Sequence, residues 1–277
     1  MVGHAGIDDD EAWLGRAARS LAQGWEELVR AIGGRTETWE EAWLADAASP
    51  NPFLNAVTLT RPLREDEADA FTARLEAFFA QRPSGGPWLI WSGWPTPDLS
   101  RLGYVLWGHP PVMVRPPGGE APAPPPELRI VEARDAAELV AIERAFVEGY
   151  PALGVEHLLP GAVFPASLLS GPFRFWAGYV ENDLVSVAAA LVCEDQVDVA
   201  FVATQPHARR RGYGAALTWV ATMAEPSLPA VLEASDDGRP VYARMGYRDV
   251  GRMSLWERPR DPSHPVYSPY AQPPSQG

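Results

Sequence analysis

The chain has one cysteine in 277 residues, Cys193, set inside an apolar run. A disulfide framework is therefore impossible, and the expected setting is reducing and cytoplasmic. Basic residues are also short: 23 Lys and Arg stand against 36 Asp and Glu, a net charge of −13. Binding to a phosphate backbone needs a broad basic surface, so nucleic acid is not expected as a main partner. No uninterrupted apolar stretch approaches the length of a membrane span, and no membrane partner is expected. The opening MVGHAGIDDDEAW is acidic where a secretory leader is basic, which argues against a signal peptide. The five histidines, His4, His109, His157, His207 and His264, show no metal-binding spacing such as HExxH, so the expectation is no metal. A G-x-S-x-G elbow is missing too, which leaves a serine hydrolase without support.

Glycine and proline are plentiful, at 24 and 29 residues, and they punctuate the chain. Apolar positions at Trp13, Ala17, Leu21, Trp25, Leu28 and Ile32 recur in steps of three and four. They predict an amphipathic helix over 8–32, ended by Gly33 and Gly34. Trp39 and Trp43 suggest a second, shorter helix after Thr38. A strand (55–60), a helix (65–81), a strand (88–92), a helical stretch near Asp98 and an extended end at 112–115 follow. Arg115–Glu127, RPPGGEAPAPPPE, has no apolar periodicity and reads as a semi-rigid linker.

Beyond the linker the pattern restarts. Strand 128–133 and helix 136–149 lead into an irregular stretch through Pro172. Strands 174–180, 184–192 and 197–203 follow, the first two joined by a hairpin turn. Then come helix 212–224, strand 230–234, helix 240–245 and strand 254–258. From Asp261 the composition is that of a disordered tail. The expected domains are a helical arm (1–50), a first α/β half (51–116), the linker (117–127), a full α/β domain (128–259) and the tail (260–277). Eight of the eleven tryptophans precede residue 126. An aromatic substrate wall is one reading, and core packing is the commoner one.

Shifting the chain by 143 residues without gaps lays Asn55–Pro116 on Asp198–Pro259, with twelve identities in 62 positions. Chance at ordinary composition gives roughly four. Gly103/Gly246, Tyr104/Tyr247, Gly108/Gly251 and Arg115/Arg258 are among the pairs, and strands and helices fall on each other. An internal repeat is expected, in which the first copy has lost its own ligand.

The chemistry concentrates in VDVAFVATQPHARRRGYGAALTWVATMAE, Val197–Glu225. An apolar strand runs into Thr204–Gln205–Pro206, then Arg209, Arg210 and Arg211, then Gly212–Tyr213–Gly214 and an alanine-rich helix. Glycines let a backbone approach a ligand closely. The free N–H groups of a helix start, with the positive end of its dipole, hold anionic oxygens. Arginines add charge-assisted hydrogen bonds, although three in a row are equally what a solvated charge cluster looks like. In the first copy, REDEAD (Arg64–Asp69) stands where the second has HARRRG (His207–Gly212). Such a loop repels a phosphate.

Arg209-x-x-Gly212-x-Gly214-Ala215, after a strand and Pro206, resembles the acetyl-CoA motif of the GNAT superfamily of N-acetyltransferases, Q/R-x-x-G-x-G/A. Downstream, LEASDDGRPVYARMGYRDVG (Leu232–Gly251) is similar to that family's second signature, a strand followed by a helix bearing tyrosine. The order of elements from Leu128 to Arg258 is also theirs. The resemblance implies a mixed α/β GNAT acyl-CoA acyltransferase fold over 128–259, with a partial, degenerate GNAT-like unit over 51–116.

It further implies acetyl-CoA as acyl donor and an amine-bearing acceptor. The backbone of Val202, Ala203 and Thr204 would lie along the pantetheine arm, with the Val202 amide as oxyanion donor. Arg209, Arg210, Arg211, Gly212, Tyr213, Gly214 and Ala215 would wrap the pyrophosphate. Tyr242 matches the tyrosine that protonates the departing thiolate, and a core tyrosine is the plainer reading. Asp198 stands where some relatives carry a glutamate base. Its side chain is one methylene shorter and implies a bridging water, and Glu233 on the next strand is the rival. A non-catalytic acyl-CoA-binding or regulatory protein of the same fold is the alternative, which Tyr242 argues against.

Overall fold

The structure, a computed structural model, describes residues 9–81, 86–150 and 161–259. The tail expected over 260–277 lies outside them. The first part of the chain runs α1 (Asp10–Ala31), β1 (Arg35–Thr38), β2 (Ala42–Asp46), β3 (Asn55–Leu59), α2 (Ala68–Phe79), β4 (Trp88–Ser92), β5 (Val105–Gly108) and β6 (Pro111–Arg115). After the proline-rich segment come β7 (Leu128–Glu132), α3 (Ala136–Gly149), β8 (Phe173–Val180), β9 (Asp183–Val192) and β10 (Val197–Thr204). The chain continues through α4 (Tyr213–Thr222), β11 (Ala230–Glu233), α5 (Arg239–Arg244), β12 (Arg248–Arg252) and β13 (Ser254–Arg258).

Local chemistry accounts for the helix starts. Asp9 caps α1 by accepting a hydrogen bond from the Ala12 amide at 3.0 Å. Asp135 accepts from the Glu138 amide at 2.9 Å, while Glu138 reaches back to the Arg134 amide at 2.6 Å. That reciprocal pair resembles a capping box and fixes where α3 begins.

The chain divides into two compact units, one up to Val112 and from Val250, the other Met113–Asp249. The composition places the division elsewhere, in the proline-rich segment. In the first unit the six-stranded sheet has the order β1-β2-β3-β4-β13-β5, with β3 and β4 parallel. Phe71, Leu75, Phe78 and Phe79 of α2 pack on Val57, Trp88, Ile90 and Trp256. In the second unit, the seven-stranded sheet has the order β12-β6-β11-β10-β9-β8-β7. Its core under α4 takes Val185, Val197, Val199, Leu217, Leu232 and Tyr247.

The helix expected around Trp39 and Trp43 is instead a β-hairpin, so among the described residues of the arm over 1–50 the α-helix is α1. β1 pairs β2 in register from Arg35 with Asp46 to Thr38 with Trp43, and the Trp39 amide donates to the Ala42 carbonyl. A single step of four between two tryptophans is no periodicity, and Ala42–Asp46 pairs along the edge of β3. Trp39 turns edge-on to Phe71 and Phe78, at 6.3 and 6.1 Å. β5 and β12 are short strands beyond those expected from the sequence.

The 143-residue shift has a counterpart in the sheets. It carries β3, α2, β4, β5 and β6 onto β10, α4, β11, β12 and β13. The order β1-β2-β3-β4-β13-β5 then reads β8-β9-β10-β11-β6-β12, with β6 and β13 each in the sheet of the other half. Gly103 and Gly246, paired by the shift, have φ of 84° and 88°.

Candidate functional site

β10 begins as a regular strand and then breaks. Against β9 its register runs from Val197 with Val192 to Ala200 with Ala189, and resumes at Ala203 with Val187. Against β11 it pairs only at Val197 with Ala230 and Asp198 with Val231. Phe201 and Val202 therefore lie in neither ladder, and the two parallel strands splay after Asp198. Phe201 has φ of 53°, a conformation that a bulky residue rarely adopts. The bulge sends its ring against Phe146, Phe164 and Phe173, at 5.4, 4.9 and 6.2 Å, while Val202 packs toward α4.

The loop after β10 is braced from inside. The buried Gln205 side chain donates to the Ala145 carbonyl at 3.0 Å. Arg209 donates to the Thr204 carbonyl at 3.1 Å and to the Gly149 carbonyl at 2.8 Å. Arg210 has φ of 63° and Gly212 of 85°, so the chain turns through two left-handed residues just before α4. Gly212 occupies the N-cap position with no side-chain hydrogen bond to the helix, leaving the first-turn N–H groups free of a side-chain cap. At Gly214 a β-carbon would stand 2.8 Å from Thr204 Oγ1, so only glycine lets α4 approach β10 this closely.

These features open onto one cleft of about 470 Å³. Of the residues singled out by sequence, Val202, Thr204, Arg209, Arg210, Gly212, Tyr213, Gly214, Ala215 and Tyr242 line it together. Ala203, Arg211 and Asp198 do not. Ala203 is buried, and its carbonyl accepts from the Ser186 hydroxyl at 2.8 Å. Arg211 faces Glu127, whose carboxylate accepts from the Tyr213 hydroxyl at 2.8 Å. The Tyr213 side chain thus points into the core beside Glu127, and it meets the cleft at the helix start.

Tyr242 sits on α5, and burial followed by the proximity of Tyr150 pushes its hydroxyl up to about 12. It stays protonated at neutral pH, the state a proton donor needs. Its ring packs against Gly238, where a β-carbon would lie 2.9 Å away, and stands 6.1 Å from Tyr247. Asp198, the last β10 residue paired with β11 before the splay, is 4% exposed. Burial, and then the charge of Asp198, hold Glu233 well above the usual carboxylate range. Burial, reinforced by Asp198 and Asp195, pushes the Cys193 thiol up to about 12, which makes it a poor nucleophile.

Ala208, Thr218, Gly238, Val241 and Arg244 also line the cleft and were not singled out by sequence. Thr218 follows Gly214 by one helical turn, a spacing that could have revealed it. Gly238 precedes Tyr242 by the same step of four, so the spacing that points to Thr218 points to it as well. Among the described residues, no group of three or more His, Cys, Asp and Glu could hold a metal, and no helix is long and apolar enough to cross a membrane.

No protein-family profile matches the sequence, and no curated relative matches it. Solved structures do. A GCN5-related N-acetyltransferase from Kribbella flavida aligns at a TM-score of 0.64 and 20% identity, over 87% of this chain and 95% of that one. A GCN5-related N-acetyltransferase from Sphaerobacter thermophilus aligns at 0.54 and 13%, over 91% and 95%. A putative acetyltransferase of the GNAT family from Novosphingobium aromaticivorans aligns at 0.52 and 15%, over 84% and 96%. The chain has the GNAT acetyltransferase fold, a mixed α/β architecture.

Proposed function

We propose that this protein is a cytoplasmic, acetyl-CoA-dependent N-acetyltransferase that moves an acetyl group directly to the primary amine of an acceptor. The observation that carries the reading is one cleft in which an uncapped, glycine-led helix start, an unpaired stretch of strand and a protonated tyrosine converge. The first two suit a pyrophosphate and an extended pantetheine arm, and the third suits a departing thiolate. The stretch 51–116 is then a degenerate GNAT-like unit, a reading supported by the matching strand orders.

The amides of the first turn of α4 hold the pyrophosphate oxygens, helped by the helix dipole. Arg210 lines the cleft and adds charge. Arg209 keeps the loop in place through its two carbonyl bonds. Val202, outside both ladders, offers its amide to the thioester oxygen as the tetrahedral intermediate forms. Tyr242 gives its proton to the leaving sulfur, and Asp198 takes a proton from the ammonium through water.

Calorimetric titration with acetyl-CoA, followed by thiol release over a panel of amines, tests this reading. We expect one bound acetyl-CoA per chain and release that depends on the amine. Failure to bind would refute the site, and binding without release from any amine would leave an acyl-CoA-binding protein.

A further inference from the structure

β10 and β11 bring two carboxyl groups onto one face of the seven-stranded sheet. Asp198 stands beside Val231, and Val231 and Glu233 project to the same side because strand side chains alternate. That side faces away from the core under α4, which takes Val197, Val199, Ala230 and Leu232. Asp198 is buried, and Glu233 Oε1 is sealed from solvent with no hydrogen-bond partner. Cys193, in the turn between β9 and β10, feels the charges of Asp198 and Asp195, and Tyr247, from the core under α4, feels that of Asp198. Arg115 of β6 and Tyr242 of α5 face Tyr247 in turn. Two carboxyl groups this close, out of water, do not both ionise near neutral pH, and they titrate as a pair.

We propose that Asp198 and Glu233 act as one pair holding a single negative charge, in which Glu233 keeps a proton and leaves Asp198 as the member that accepts the ammonium proton. The inference rests on the acetyl-transfer reading above. Glu233 is a positioning residue, because it decides which carboxyl is charged and touches neither substrate. The protons balance. The ammonium gives one proton to Asp198 through water, which makes the pair neutral. The nitrogen then bonds to the thioester carbon, the carbon–sulfur bond breaks, and sulfur takes the proton of Tyr242. A second proton lost by nitrogen restores Tyr242. Asp198 releases its proton to water, so one thiol and one proton leave per turnover.

The pair is first tested without any substrate. Infrared spectra of the full chain in H2O and D2O should show a protonated-carboxyl band at neutral pH that Glu233→Gln removes. Melting adds a second readout. A carboxyl held above its unfolded value stabilises the fold fully below that value, and the contribution is lost as pH rises through the folded value. The melting temperature of Glu233→Gln should therefore gain on wild type as pH rises from about 4.3, the ordinary carboxylate value.

The kinetic arm uses thiol release with acetyl-CoA and an active amine. Asp198→Asn should lower kcat/KM by about 10²-fold, within the range of a general base. Glu233→Gln, neutral and of the same shape, should lose less than about tenfold, whereas Glu233→Ala should not be rescued in this way. If Gln costs as much as Asp198→Asn, Glu233 is itself the charged acceptor and the proposal is overturned. A wild-type spectrum without the band overturns it as well, and that result stands even if the variant does not fold. If the band is present but no amine releases thiol, the acetyl-transfer reading and the role of Asp198 fall together, while the shared proton remains.

Discussion

α2 follows β3 in the six-stranded sheet as α4 follows β10 in the seven-stranded one, and the 143-residue shift lays the first pair on the second. Before α2 the chain supplies its own anions and its own cations to meet them. Glu67 pairs with the Arg61 guanidinium and accepts from the Arg64 amide at 3.0 Å. Asp66 lies 3.0 Å from Arg64, and Asp69 lies 2.6 Å from Arg101. The Arg61 hydrogen bond, then the Arg64 amide, lower the Glu67 carboxyl to about 2. Before α4, Gly212 brings no side chain at all, and Arg210 stands on the cleft. A helix start is open to an outside anion only where its own chain has not already provided one. The whole segment differs under the shift, REDEAD against HARRRG, and Asp69 and Phe71 give way to Gly212 and Gly214.

The harshest way to break the comparison is to remove a strand that the two halves exchange. β6 lies between β11 and β12, inside the seven-stranded sheet. A chain starting at Pro126 lacks it and is expected not to fold, as read by circular dichroism and dispersed amide spectra. A well-folded product that binds acetyl-CoA would contradict the strand order.

Next in size is Gly212→Asp, which writes the closed chemistry into the open loop. It sets a β-carbon at a φ of 85° and a negative charge at the helix start. Wild type should gain roughly 2.7 kcal/mol of stability at a hundredfold excess of acetyl-CoA over its Kd, and the variant none. Thermal melting with and without ligand measures it, and an unchanged ligand shift would move the pyrophosphate elsewhere.

Tyr242→Phe is milder, since the 143-residue shift lays Leu99 at that place and the ring alone can pack. Acetyl-CoA affinity should hold while kcat drops by about 10²-fold. Equal turnover in the two proteins would reduce Tyr242 to packing.

Smallest is the effect of Glu67→Gln in the closed loop. The carboxyl of Glu67 is held below its unfolded value, so its stabilising contribution is present above that value and disappears as pH falls toward about 2. The pair is exposed to salt, and its worth is correspondingly slight. Acid melts of Glu67→Gln should decline less steeply than wild type below about pH 4.3, with acetyl-CoA binding untouched. A variant that melted in parallel with wild type would show that the arginines do not hold this carboxylate.

Several features of this protein were legible in the order of its residues because their causes are local. Glycines and prolines mark turns through backbone sterics, so α3 was placed at 136–149 and β6 and β13 near their ends. Gly212 and Gly214 could be read as an open helix start because a missing side chain is missing in any surroundings. Tertiary structure decided the rest. The Trp39–Trp43 segment became a hairpin because the edge of β3 needed a partner, a demand set by residues a dozen or more positions away. The exchange of β6 and β13 is invisible along the chain, because a strand's sequence records its alternation and not which sheet will take its hydrogen bonds. The difference between Arg209, bound to two carbonyls, and Arg210, set on the cleft, depends on where Gly149 ends its helix. The pairing of Asp198 with Glu233 likewise exists only once two parallel strands meet, since the field each carboxyl feels comes from the other and from the burial they share.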